Sequence, residues 1–177
     1  MNVLIAVASR HGSTREIAAV MAEELRACGL FTDVRDADEV ASFDGYDAVI
    51  LGSAVYFGSW LPQARKLVGR CQSEFAARPV WLFSSGPLGS DDPKPLGEPA
   101  EVVDLMAQSH AREHLVLVGK LDSSSLSLTE RIVVAMVGAQ KGDFRDWNAI
   151  RDWVRRIATS LGAECAPSGT PAVTRQM

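Results

Sequence analysis

Val3 to Ala8 is apolar at every position and runs straight into Ser9-Arg10-His11-Gly12-Ser13-Thr14. A strand without polar positions is stable only if both its faces are covered, as in a parallel sheet with helices on either side. The residues that follow, Arg15 to Cys28, put Ile17, Met21, Leu25 and Cys28 on one side at three- and four-residue spacing. That spacing predicts an amphipathic helix, ended by Gly29. The chain therefore opens as a buried strand, a tight hydroxyl-rich loop and a helix start.

Such a loop is a natural phosphate seat. The first backbone N–H groups of a helix lack partners within it, and the helix dipole adds partial positive charge there. Ser9, Ser13 and Thr14 can add hydroxyl donors, and Gly12 permits a close approach and a positive φ. The loop is neither a P-loop, since no Gly-Lys-Ser/Thr follows, nor a dinucleotide fingerprint, since only one glycine is present. The plainer reading is a helix cap, with Ser9 or Ser13 capping and Glu16 completing a capping box.

The same alternation continues. Phe31 to Arg35 reads as an exposed strand, and Asp36 to Phe43 as a loop or short helix. Asp47 to Ser53 and Pro79 to Ser84 read as buried strands, and Glu113 to Gly119 as the last. Helices are expected from Leu61-Pro62, over Ala100 to Ser109, over Leu128 to Val137 and over Asn148 to Leu161. The pattern predicts an α/β doubly wound, five-stranded parallel sheet of order 2-1-3-4-5 with helices on both faces. Ligands in such sheets bind beyond the carboxyl ends of the strands, so the loops beginning at Ser9, Ser53 and Ser85 should share one crevice.

The second loop, Gly52 to Trp60, carries Ala54, Val55, Tyr56, Phe57 and Gly58. Turns usually hold small polar residues, so its aromatics suggest a flat ligand stacked on a ring. Tyr56 is read as facing that ligand; Phe57 and Trp60 fit either that role or a cover for the neighbouring helix. The third loop, Ser85-Gly86-Pro87-Leu88-Gly89, offers backbone N–H groups to the polar edge of a heterocycle. Phosphate, stacked ring and polar edge describe a mononucleotide, and FMN fits best.

At 177 residues one domain is expected, residues 1–161, with a disordered tail over 162–177. A net charge of −4 and no basic run argue against a nucleic-acid partner. Cys28, Cys71 and Cys165 form an odd set without a C-x-x-C and read as reduced thiols of a cytoplasmic protein; no metal site is expected. The apolar stretch 128–137 is too short to span a membrane. It reads as a buried crossover helix, with a quinone- or membrane-facing helix, peripheral at the inner face, as the alternative. Trp147, beside Arg145 and Asp146, is read as stapling the start of the final helix. Asp91-Asp92 and their prolines suggest a flap. His11 is read as a phosphate or water partner, and no catalytic residue is assigned.

Over residues 2–161 the chain resembles the flavodoxin superfamily, and within it the flavodoxin-like protoporphyrinogen dehydrogenases, which use FMN and a quinone acceptor. The likeness is carried by Ser9-x-x-Gly12-x-Thr14-Arg15-Glu16-Ile17-Ala18, by Tyr46-Asp47-x-Val49-x-x-Gly52-x-x-Val55-x-x-Gly58, and by Gly119-x-Leu121 followed by the apolar segment and a Gly-Asp pair. It implies that Ser9 and His11 to Thr14 hold the FMN phosphate, that Tyr56 and its neighbours flank the ring system, and that the loop from Ser85 meets the ring edge. Departures fall at Arg10 and His11 and at Asp122 to Leu128, where such dehydrogenases carry aromatics and arginines. The resemblance thus speaks more to flavin than to porphyrinogen. It implies an oxidoreductase acting on a small molecule with a quinone acceptor. A carrier of electrons between redox proteins is the alternative, and a receiver domain is disfavoured by Ala8-Ser9 at the end of the first strand.

Overall fold

The computed structural model describes residues 1–56, 58–86, 101–121 and 142–165. In chain order the elements are β1 (Asn2–Ala8), α1 (Ser13–Ala27), β2 (Phe31–Asp36), β3 (Ala48–Tyr56), β4 (Ser59–Trp60), α2 (Pro62–Arg70) and α3 (Gln72–Ala76). They continue with β5 (Val80–Gly86), α4 (Val102–Ser109), β6 (Glu113–Val118), β7 (Lys120–Leu121), β8 (Gly142–Asp143) and α5 (Trp147–Ser160). The five long strands pair in parallel as β2-β1-β3-β5-β6, the expected 2-1-3-4-5 order. β7 and β8 form a separate antiparallel pair.

Alternate residues of each central strand feed opposite layers. Val3, Ile5 and Val7 pack with Ile17, Met21 and Leu25 of α1 and Ile150, Trp153 and Ile157 of α5. Leu4 and Ala6 pack on the other face with Leu67 of α2, Phe75 of α3 and Leu105 of α4. At the sheet centre Gly52 has no side chain because Phe83 occupies its place: a Cβ built there would lie 2.0 Å from the ring. Phe83 in turn meets Trp153 edge-on, with ring centroids 6.5 Å apart.

Three expectations need correction. First, β3 does not stop at Ser53 but runs to Tyr56, because Val55 pairs with Trp60 and Tyr56 with Ser59 in a hairpin turned at Gly58, φ 77°. Ala54, Val55 and Tyr56 are strand residues, not loop. Second, Cys28 and Cys165 are joined in a disulfide across 137 positions, and only Cys71 is a free, buried thiol. α1 and α5 pack side by side, which brings their carboxyl ends together although nothing in the local spacing signals it. Third, β5 likewise runs past Ser84 to Gly86, with Ser85 paired to Leu117 and Gly86 to Val118 of β6, so Ser85 and Gly86 are strand residues, not loop. Past Leu161 the chain is described as far as Cys165. Gly162 takes φ 80°, and the Ala163 N–H closes the last turn of α5 on the Ala158 carbonyl at 3.0 Å, turning the chain toward Cys28. Phe57, the segment 128–137, Asp91-Asp92 and residues 166–177 lie outside the described residues. No helix among the described residues is long and apolar enough to cross a membrane.

Candidate functional site

The carboxyl ends of β1, β3, β5 and β6 open on one edge of the sheet. After β1, the Ser9 hydroxyl accepts the Gly12 N–H at 3.1 Å and folds the loop back. Gly12 is the N-cap residue of α1, in the left-handed region at φ 86°, and a Cβ there would meet nothing within 4 Å. The expected capping box does not form: Gly12 brings no side chain to the cap, and Glu16 turns sideways to Arg145. At the helix start the Gly12 Cβ position opens on space, and the cap makes no side-chain hydrogen bond. Ser9, His11, Gly12 and Ser13 are half-buried, Arg10 is exposed, and Thr14 is buried. No carboxylate occurs between Ser9 and Thr14.

Tyr56, at the end of β3, is half-buried and meets this loop. The His11 ring lies 6.2 Å from the Tyr56 ring, tilted by 55°, and the Arg10 guanidinium carbon lies 5.4 Å from the ring centre. Val55 is half-buried, Ala54 buried, and Gly58 exposed in the turn. At the third strand end Ser85 is buried and Gly86 half-buried. Gly119 backs them closely: its N–H donates to the Gly86 carbonyl at 3.0 Å, and a Cβ would sit 3.0 Å from that oxygen and 3.3 Å from the Ser85 hydroxyl. Phe57, Pro87, Leu88 and Gly89 lie outside the described residues. The structure thus brings the first loop, Tyr56 and the Ser85-Gly86 end of β5 to one edge.

Trp60 plays no part at the mouth. It is fully buried, and its indole N–H donates to the Ser84 hydroxyl at 2.7 Å; that hydroxyl also bonds the His114 Nε2 at 2.8 Å. The Trp60 backbone N–H donates to the Glu101 carboxylate, and the Leu61 N–H to the Ser53 hydroxyl at 3.0 Å. These bonds anchor the hairpin that presents Tyr56 from beneath. Ser53 reads from sequence only as the start of a loop, and Ser84 and His114 were not singled out, although a serine inside the apolar run of β5 was the available signal.

Arg145 was also missed. Its side chain is 4% exposed. Nη1 donates to Glu16 at 2.6 Å and approaches the Ser13 carbonyl at 3.4 Å, while Nε and Nη2 donate to Asp143 at 2.8 and 2.5 Å. Burial works against its charge, but its hydrogen bonds to Asp143 and Glu16 more than compensate and raise its pKa. Trp147, read as a staple, instead lies under this guanidinium at 4.3 Å; the cap of α5 is Asp146, which accepts the Asn148 and Ala149 N–H groups at 3.0 and 2.9 Å.

Elsewhere a wide hollow of about 400 Å³, lined by Asn2, Phe31, Asp33, Asp44 and Tyr46 among others, lies at the amino ends of β1 and β2, away from these loops. Among the described residues no group of three or more His, Cys, Asp or Glu side chains is placed to hold a metal ion.

Residues 4–148 match the family model described as Flavodoxin domain. The chain is 22% identical over 180 residues to the protoporphyrinogen IX dehydrogenase [quinone] of Escherichia coli K12, covering 89% of this chain and 95% of that protein. Among solved structures it is similar to a flavodoxin from the domain Archaea (TM-score 0.63, 12% identity, covering 92% of this chain and 99% of the other). It is also similar to the flavodoxin of Streptococcus pneumonia TIGR4 (TM-score 0.57, 17% identity, covering 92% and 98%).

Proposed function

The chain belongs to the flavodoxin domain family, and on that premise we propose that it binds FMN and works as an oxidoreductase, passing electrons from a small organic substrate to a quinone acceptor. The observation that carries the reading is the carboxylate-free loop Ser9 to Thr14 at the start of α1, with the Tyr56 ring brought against it. The residues present fit the cofactor. Backbone donors of the helix start and the Ser13 hydroxyl would take the phosphate, with Gly12 leaving room for it. Tyr56 would flank the ring system, and the Ser85-Gly86 backbone would meet its polar edge. When bound, the flavin supplies the electron transfer itself; the protein contributes position and electrostatics. The Ser53, Ser84 and Glu101 bonds beneath the β3–β4 hairpin keep Tyr56 in place. The quinone acceptor and a porphyrinogen-like substrate are supported by the likeness to the Escherichia coli dehydrogenase over nearly its whole length. Peripheral membrane contact through 128–137 goes with that acceptor; the Cys28–Cys165 disulfide removes the reduced-thiol argument for a cytoplasmic location.

A second reading, an electron carrier between redox proteins, is favoured by the near-complete coverage of two solved flavodoxins. The visible spectrum of the purified protein, with identification of the flavin released by heat, tests the first step. About one FMN per chain is expected; a colourless protein that takes up no FMN would overturn both readings. Reoxidation of the reduced protein by a soluble quinone separates them: rapid turnover supports the enzyme, and one-electron titration without quinone turnover supports the carrier.

A further inference from the structure

Glu16 is the acidic residue in the first turn of α1. A negative charge there competes with any anion for the positive end of the helix. Arg145 answers it from 129 positions further along the chain. One nitrogen, Nη1, serves both the Glu16 carboxylate and the Ser13 carbonyl, while the other edge of the guanidinium is locked on Asp143 and its face lies on Trp147. A lysine could not hold this fork, because a point charge lacks the second edge and the flat face.

We propose that Arg145 is a positioning residue for the phosphate seat: it offsets the charge of Glu16, steadies the first turn of α1 at Ser13, and so keeps the helix start receptive to a doubly charged phosphate ester. The inference rests on the reading that the FMN phosphate sits at that helix start. Two carboxylates share the one guanidinium. Its removal takes the counter-charge from Glu16 beside the helix start, whereas removal of Glu16 alone leaves Arg145 matched to Asp143. The two changes should therefore move phosphate affinity in opposite directions.

The test compares FMN with riboflavin, which has the same ring and no phosphate. Arg145→Met should weaken FMN binding about tenfold and riboflavin binding by less than about twofold, as expected for one unit of charge acting across partly screened protein. Adding Glu16→Gln to Arg145→Met should recover most of the FMN loss. An equal loss for both flavins, or no loss for FMN, overturns the proposal. Should Arg145→Met fail to fold, Glu16→Gln in the otherwise unaltered chain decides: FMN is expected to tighten about twofold to threefold with riboflavin unchanged, and unchanged FMN affinity overturns the proposal. If the unaltered chain binds neither flavin, the proposed function falls, and inorganic phosphate becomes the probe. Weaker phosphate binding in Arg145→Met than in the parent then keeps the inference; equal binding, or none by either, overturns it.

Discussion

Replacing Gly52 with alanine sets two effects of opposite sign against each other. Alanine loses less freedom on folding than glycine and favours the folded strand by roughly 0.5–1 kcal/mol. Against that, the new methyl would lie 2.0 Å from the Phe83 Cζ and 2.1 Å from its Cε1. Ordinary contact begins at 3.4 Å, so the ring would have to withdraw by about 1.4 Å, the difference of those distances. Phe83 and Trp153 are both fully buried and meet edge-on, which leaves the ring little room to retreat. Overpacking of this kind costs about 1–3 kcal/mol, and a blow to the tip of a confined ring belongs at the upper end. The net expectation is a destabilisation of roughly 2 kcal/mol. Urea unfolding followed by tryptophan fluorescence measures it. Phe83→Leu should cost at least about 1 kcal/mol less in the Gly52→Ala background than in the parent, because the smaller side chain vacates the contested space. A Gly52→Ala protein as stable as the parent, with additive effects in the pair, would refute the idea that Phe83 is locked across the strand leading to Tyr56.

Ser84→Ala takes the acceptor from the buried Trp60 indole and a partner from His114, and should cost about 1–3 kcal/mol; in a Trp60→Phe background the part owed to the indole should vanish, and an undiminished cost would count against the bond. Loss of the Cys28–Cys165 link, by reductant or by a Cys28→Ser/Cys165→Ser double change, should lower stability by about 2–5 kcal/mol, and identical denaturation midpoints with and without reductant would show the pair unjoined. Tyr46 is held neutral above its ordinary value of 10.0 by burial and by its hydrogen bond to Asp33. Its contribution is therefore intact below that pH and lost as pH climbs through the higher folded value, so Tyr46→Phe should flatten the alkaline fall in stability; an unchanged slope would refute the assignment.

What could be read from sequence was whatever local pattern determines. Val3 to Ala8 and Ala48 to Leu51 are apolar without interruption, and the only economical way to cover both faces is the parallel sheet that the structure has. The Ser9 to Thr14 loop was recognisable because donors, glycine and helix start follow one another directly. Pairings made across the fold were not recognisable. Nothing near Tyr56 announces that it and Ser59 form rungs of a hairpin, so from sequence alone the strand end reads as loop. Trp60 carries the same chemistry whether it faces a ligand or a buried serine; only the position of Ser84, 24 residues away, decides. Arg145 and Glu16 are likewise ordinary charges until the fold sets them side by side.

The bond between Cys28 and Cys165 also changes the molecule as a mechanical object. Everything between those residues becomes a closed covalent loop, with residues 1–27 as a free arm whose strand lies inside the sheet, hydrogen-bonded to β2 on one side and β3 on the other. A protease that cuts once anywhere within the loop cannot separate the pieces. The nicked protein would keep its mass on a gel without reductant and split in two only when reductant is added. A cut just before Cys28, by contrast, would release residues 1–27, with the Ser9–Thr14 loop, on the same gel without reductant.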